Sequence, residues 1–325
     1  MKYQDVIYGE IEIDEEILIA LMKTDAVTRL QGIMQHGISS LIGVSHPVTR
    51  FEHSVGVMYL TQYYGAPLKE QIAGLLHDVS HTAFSHVIDF VYSGHDNQSY
   101  HEEKKEQYME NSDLPDILES LGYDWRDFIE EDGYSILEQP SPALCADRLD
   151  YFLRDCFYMG LATTNTIKYI LNNLDIHDGR IVAKNVEVAR WLAYTYIEAD
   201  KTSWASIREV GLYELTAQAI KRAMAVGYIE EVDLWGIDEL LWKKLKACSN
   251  VEIQEIVQRI SLSTRFILDS SNPTYNVGTK LRTIDPDIMM DGALVNLSDI
   301  DSHFSEYKDS YHATQDLWPI TIIPI

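Results

Sequence analysis

The sequence predicts a mainly α-helical fold carrying a small β element. Apolar residues recur at helical spacing over long stretches. β-like texture is confined to the first fifteen residues, a turn near 178 and the region beyond Ser270. Gly37, Gly43, Pro47, Pro67, Pro140, Pro142 and Gly160 punctuate the periodic segments. In order, Val6, Ile7, Ile11 and Ile13 alternate around Gly9 as a short strand pair. From Glu16 the pattern turns helical, with Ile17, Leu18, Ile19, Leu21 and Met22 leading into Val27, Leu30, Ile33 and Met34. Residues 37–49 are a loop, 52–64 a second helix, and 68–78 a third helix entered after Pro67. Residues 93–100 and 131–142 are loops. A helix over 143–158 stops at Gly160.

Beyond 165 the chain is helical, with a hairpin at His177-Asp178-Gly179-Arg180. One or two long helices cover 187–226, and further helices cover 237–246 and 251–262. The texture is then extended to the apolar tail WPITIIPI, which is expected to pair with or pack on another element. A short β element is expected to join the two chain ends. No repeat or clean linker divides the chain. Two regions are expected: 1–170, with its N-terminal β element, and a helical region 171–325 packed on it, ending in an extended tail.

The 325 residues are 46% hydrophobic and 24% charged, ordinary for a folded protein. The polar start MKYQDVIYGEIEIDEE is unlike a signal peptide, and no run of about 18 apolar residues suggests a membrane span. Cys145, Cys156 and Cys248 lack metal or disulfide spacing and read as reduced structural thiols in a cytoplasmic protein. The net charge is −25, from 26 basic and 51 acidic residues, and such a surface repels nucleic-acid backbones and anionic lipid. Neither nucleic acid nor membrane is an expected partner. A small anionic substrate is compatible, because a divalent cation and local arginines reverse the sign within one cleft.

The densest chemistry is HDVSHTAFSHVID, His77 to Asp89, directly after the apolar run Ile72-Ala73-Gly74-Leu75-Leu76. A core helix ending in His-Asp delivers adjacent ligand side chains to a dry pocket, which points to metal-dependent hydrolysis. The candidate ligands are His53, His77, Asp78 and Asp147, on three predicted helices. Singly, a core histidine or a helix N-terminal carboxylate explains each of them. Their joint order is what favours a metal.

That order resembles the HD superfamily of metal-dependent phosphohydrolases. HPVTRFEHSVGV, GLLHDVSHTAFSH, YHEE and DRLDYFLRDCFYMG further resemble its deoxynucleoside-triphosphate triphosphohydrolase branch, and KLRTIDPDI that branch's C-terminal part. The resemblance implies an HD-domain helical core with additional C-terminal helices. It implies one divalent metal (Mn, Fe, Mg, Co, Ni or Zn) on His53, His77, Asp78 and Asp147. It implies His81 as the catalytic histidine, Asp89 orienting it, and His101 facing phosphate oxygens. Arg50 and Arg148 are implied at the phosphates, Tyr151 and Asp155 at the deoxyribose, and Gln35 at its 3′-hydroxyl, although Tyr151 and Gln35 read equally well as packing or capping residues. His86 reads as a structural partner in the same turn and His95 as solvated.

The reaction implied is dNTP plus water to deoxynucleoside plus triphosphate, in a homo-oligomer. The stretch ADKTSWASIREVGLYEL departs from the branch by lacking a histidine on the long helix. Trp204 and Tyr213 there read as core or as base-stacking residues. Three other readings stand beside the first: a nucleotide phosphatase or phosphodiesterase on the same centre, di-iron oxygen chemistry using extra histidines between Asp78 and Asp147, and a non-catalytic nucleotide binder.

Overall fold

A computed structural model describes residues 1–92, 99–290, 292–314 and 318–323. Most of the loop expected at 93–100, with His95, lies outside them. The fold is mainly α. A hairpin of β1 (Lys2–Asp5) and β2 (Gly9–Glu12) leads to α1 (Glu16–Leu21), α2 (Asp25–Thr28) and α3 (Ile38–Leu41). Then come α4 (Arg50–Tyr63), α5 (Leu68–Leu76), α6 (Val87–Tyr92), α7 (Tyr100–Glu110), α8 (Leu114–Ser120), α9 (Ala146–Tyr158) and α10 (Thr164–Asn172). A second hairpin, β3 (Leu174–His177) and β4 (Arg180–Ala183), precedes α11 (Val186–Ala199) and α12 (Ile207–Ala225). The chain continues through α13 (Glu231–Leu234), α14 (Asp238–Ala247) and α15 (Val251–Val257). It ends with β5 (Arg265–Leu268), β6 (Tyr275–Val277), β7 (Asp287–Met290), β8 (Ala293–Asn296), α16 (Leu297–Ile300), α17 (Ser302–His312) and β9 (Trp318–Ile323).

Local chemistry explains the boundaries. Thr49 and Glu52 form a reciprocal capping box that starts α4, and the Cys145 thiol accepts the Arg148 N–H, so α9 begins at Ala146 rather than 143. The single helical run expected from Glu16 is broken because the Thr24 side chain caps a new start at α2. Asp178 and Gly179 both take positive φ, the two-residue turn suited to the twist of β3 and β4. The span 187–226 is two helices separated by a π-helical turn, Asp200–Trp204.

The β content is larger than expected and is split into three sheets. The β1–β2 hairpin stands alone, β3-β4-β7-β8 form a second sheet, and the tail β9 lies between β5 and β6 in a third. Among the described residues the chain ends therefore sit in separate sheets. The apolar tail finds both partners in residues 265–277, while the first hairpin buries Ile7 and Ile11 in the helical core.

One apolar cluster joins α4, α5 and α9 (Val55, Leu75, Phe152) to β1–β2, α11 and residues near 281–311. A second joins Ile38, Phe84 and Phe90 to α12, α14 and β9. A cleft lined from both halves holds the chemistry described next. Among the described residues no helix is long and apolar enough to cross a membrane.

Candidate metal centre and active site

Helix α4 places Arg50 and His53 one turn apart, both buried. Helix α5 ends at Leu76, so His77 and Asp78 fall on the turn that follows it. Asp147 lies in the first turn of α9. The His53 Nδ1–H donates to Asp150 Oδ2 at 2.8 Å, and the His77 Nδ1–H donates to the Gly74 carbonyl at 2.8 Å. Carboxylate and carbonyl oxygens only accept, so both Nε2 atoms are left for another partner, and they face each other at 3.1 Å.

Asp147 Oδ1 lies 2.9 Å from the His53 Nε2 and 3.4 Å from the His77 Nε2. Asp78 approaches the same nitrogens at 3.7 and 3.6 Å through its two oxygens. Two opposed imidazole lone pairs flanked by two carboxylates demand a cation. Burial opposes protonation of His77, yet Asp78 and Asp147 drive it up to about 10, and Asp147 and Asp150 likewise raise His53 against burial. Burial disfavours the charged form of Asp147, but His53 and His77 hold it well below the usual carboxylate range. The mixed N/O donor set, with both histidines tethered from behind, fits a divalent metal.

Arg50 is locked in place by Asp78 Oδ2 at 2.5 Å and Ser85 Oγ at 2.8 Å. Its buried Nη2 has no hydrogen-bond partner and belongs to the cavity wall. His81 donates from Nε2 to Asp78 Oδ1 at 3.2 Å and stacks on His101 at 3.8 Å.

Asp89 does not orient His81. Its Oδ2 accepts the His86 Nδ1–H at 3.1 Å, and its Oδ1 accepts the Tyr100 N–H at 3.0 Å. The cause is local. Phe84 and Ser85 have φ of 64° and 51°, so no helix continues from His81 to Asp89. His86 and Asp89 instead straddle the start of α6. The strained turn is fixed by the Phe84 N–H on Asp238 and by Ser85 Oγ on the Met34 carbonyl. Burial lowers His86 despite Asp89, and burial and then His86 take His101 down to about 3.

On the opposite wall, Asp155 is engaged through both oxygens: Oδ1 accepts from His36 Nε2 at 3.1 Å and Oδ2 from Trp204 Nε1 at 2.6 Å. Burial opposes charge on His36, but Asp155 and Glu209 raise it to about 9. The Tyr151 hydroxyl pairs with that of Tyr196, and the buried Gln35 Oε1 has no partner. Arg148 is held by Glu138, Cys145 and the carbonyls of Gln139 and Ala143. The four candidate ligands, Arg50, His81, His86, His101, Arg148, Tyr151, Asp155 and Gln35 line one cavity of about 360 Å³, which Asp89 and Asp150 support from behind.

Sequence reasoning missed the pairing of His86 with Asp89, the tether Asp150, and His36, Lys280 and Arg282 in the wall, while Trp204, read as core or base-stacking, donates to Asp155 instead. Only Asp150 left a usable signal, one helical turn after Asp147 on the face turned toward α4.

The HD domain family model matches residues 50–155, the span carrying every metal-ligand candidate. The protein YdhJ of Bacillus subtilis (strain 168) is 37% identical over 92% of this chain and 92% of its own. The metal-dependent phosphohydrolase cns2 of the fungus Cordyceps militaris is 37% identical over 88% of this chain and 84% of its own. More distantly, the deoxynucleoside triphosphate triphosphohydrolase SAMHD1 of Gallus gallus is 29% identical over 49% of this chain and 34% of its own. The fold is shared with a phosphohydrolase from Bacteroides thetaiotaomicron VPI-5482, at TM-score 0.69 and 18% identity, covering 93% of this chain and 94% of that one. The chain belongs to the HD superfamily of metal-dependent phosphohydrolases.

Proposed function

We propose that this phosphohydrolase acts on nucleotides, with dNTP hydrolysis to deoxynucleoside and triphosphate as its leading reaction. The observation that carries the reading is one cavity joining three things: the candidate ligands His53, His77, Asp78 and Asp147, an Arg50 Nη2 without a partner among the described residues, and a His86 tethered by Asp89. The relatives named deoxynucleoside triphosphate triphosphohydrolase support the substrate class. His53, His77, Asp78 and Asp147 would hold a divalent cation, which would supply Lewis-acid activation of water and of a phosphoryl oxygen.

The chain's own groups do the rest. Arg50 and Arg148 hold phosphate oxygens and offset the charge that develops on them. Asp89 fixes the His86 proton on Nδ1, leaving Nε2 to take a proton from water as the new P–O bond forms and return it to the leaving 5′-oxygen as the old bond breaks. His101, neutral and stacked on His81, donates to a phosphate oxygen. Tyr151 and Gln35 face the sugar.

A second reading, a nucleotide phosphatase or phosphodiesterase on the same centre, is favoured by one observation. Asp155, expected at the sugar, already has both oxygens occupied by His36 and Trp204. Anion-exchange separation of the products from each dNTP, NTP and nucleoside monophosphate, with Mn²⁺ present, decides between them. Deoxynucleoside with intact triphosphate is expected. Stepwise release of orthophosphate would establish the second reading instead.

A further inference from the structure

We infer that Lys280 and Arg282, together with Arg148, form an anion subsite for a condensed phosphate chain, the phosphates lying beyond the one at the metal centre. The inference rests on the nucleotide-hydrolase reading above and names the part of the substrate that the C-terminal region recognises. Lys280 and Arg282 belong to a strap, residues 279–283, outside the HD match at 50–155, whereas Arg148 lies within that match on α9.

The strap has a two-sided pattern. Leu281 and Ile284 are buried in the first apolar cluster, while the exposed Lys280 and half-buried Arg282 line the cavity that holds the metal ligands. It is also fastened. The Arg282 N–H donates to Asp200 Oδ2 at 2.7 Å and its guanidinium lies 3.9 Å from Asp200 Oδ1. Asp200, fully buried in the π-helical turn, accepts the Tyr311 hydroxyl at 2.7 Å. Thr283 Oγ1 meets His312 Nε2 at 2.9 Å. Lys280 makes no ion pair among the described residues.

Lys280, Arg282 and Arg148 thus join Arg50 around one cavity in a protein of net charge −25. Arg148 follows the ligand Asp147 in sequence, so the cationic wall begins beside the metal centre. The convergence is unfavourable on its own. Burial and then the repulsion of Arg282 and Arg148 hold the Lys280 ammonium below the usual lysine range, with Glu102 and Glu138 only partly offsetting them. Packing explains Leu281 and the Asp200 pair explains Arg282, but neither explains a lysine lining the same cavity as Arg148 and Arg282. A bound polyanion removes that repulsion and takes charge-assisted hydrogen bonds from all three side chains.

The test is calorimetric titration of the Mn²⁺-loaded protein with tripolyphosphate and, separately, orthophosphate. Lys280→Ala is compared with Lys243→Ala, an exposed lysine paired with Glu239 that makes the same charge change elsewhere. Tripolyphosphate binding should weaken about tenfold in Lys280→Ala, the scale of a lost hydrogen bond to a charged group, with orthophosphate changed less than about twofold. Lys243→Ala should alter neither. Unchanged tripolyphosphate binding in Lys280→Ala, or equal losses for both ligands, would overturn the subsite. A parallel titration with a non-hydrolysable dNTP tells the sources apart: tighter binding than tripolyphosphate identifies the nucleotide as the ligand, and equal binding identifies the phosphate chain alone, both with the same Lys280 dependence. If the wild type hydrolyses no nucleotide yet the Lys280 effect holds, the nucleotide reading falls and the subsite stands. If nucleotides turn over and the effect is missing, the reverse is true.

Discussion

A histidine performs a defined role only when one ring nitrogen is tethered, and the rings of this cleft divide on that point. His53 and His77 are tied through Nδ1 by Asp150 and the Gly74 carbonyl, which commits their Nε2 atoms to a cation, and His86 is tied by Asp89. His81 is tied through Nε2, to the candidate ligand Asp78, and its buried Nδ1, like that of His101, has no partner among the described residues. His86→Ala should lower kcat about 10²- to 10⁴-fold, the usual worth of a general acid–base group, with metal content by elemental analysis unchanged. Equal kcat in that variant would return the role to His81. Asp150→Asn should weaken metal binding about 10- to 100-fold, read by chelator competition. The clustering of His53, His77, Asp78 and Asp147 was legible because His-Asp and the flanks of each residue are distinctive text. The His86–Asp89 pairing was not, because it depends on positive φ at Phe84 and Ser85, which no hydrophobic periodicity announces.

At the scale of elements, α4 and α9 approach so closely that Gly56 has no room for a side chain. A Cβ there would lie 1.9 Å from Asp150 Oδ1 and 2.3 Å from Arg154 Nη2. Gly56→Ala should therefore break the buried Asp150–Arg154 pair, costing about 3 kcal/mol or more in denaturant unfolding and loosening His53 with it. The β1–β2 hairpin reaches the same network. The Tyr8 hydroxyl donates to Asp150 Oδ1 at 2.8 Å, and Asp5 accepts from Arg154 at 3.1 Å. The hairpin was legible from its alternation, but its link to the metal centre was not, since the partners lie far apart in sequence. Helix α7 escaped notice because YHEEKKEQYME buries only Tyr100, Lys105 and Met109, too few for an apolar stripe. Helix α17, with only Phe304 and Tyr311 buried, escaped in the same way.

Across the whole molecule the cleft exists because the two apolar clusters meet there, and Asp238 fastens them. From α14 it accepts the Met34 and Phe84 N–H groups at 2.9 and 2.7 Å. Burial pushes its carboxyl up to about 6. A folded-state value above the unfolded one means that its contribution to stability is fully present below about pH 4 and is lost as pH rises through about 6. Asp238→Asn retains one acceptor where two are needed and should cost about 1–3 kcal/mol, with the gap to wild type narrowing between those pH values in chemical denaturation. A constant gap would show that Asp238 does not titrate there. The helical class was readable from composition and periodicity. Both hairpins left a signal too, but the joining of β4 to β7 and of β9 to β5 and β6 did not, because strands of three to six residues carry too little pattern to specify distant partners.

The measurement that tests the central claim most directly is calorimetric titration of Mn²⁺ into metal-free protein, with nucleotide hydrolysis assayed on the same samples. Wild type and His86→Ala should each bind one equivalent, with turnover in the variant about 10²- to 10⁴-fold slower. His77→Ala and Asp78→Ala should lose the tight site and the activity together. Full activity in metal-free protein, or tight binding that survives in both His77→Ala and Asp78→Ala, would contradict a catalytic centre built on His53, His77, Asp78 and Asp147.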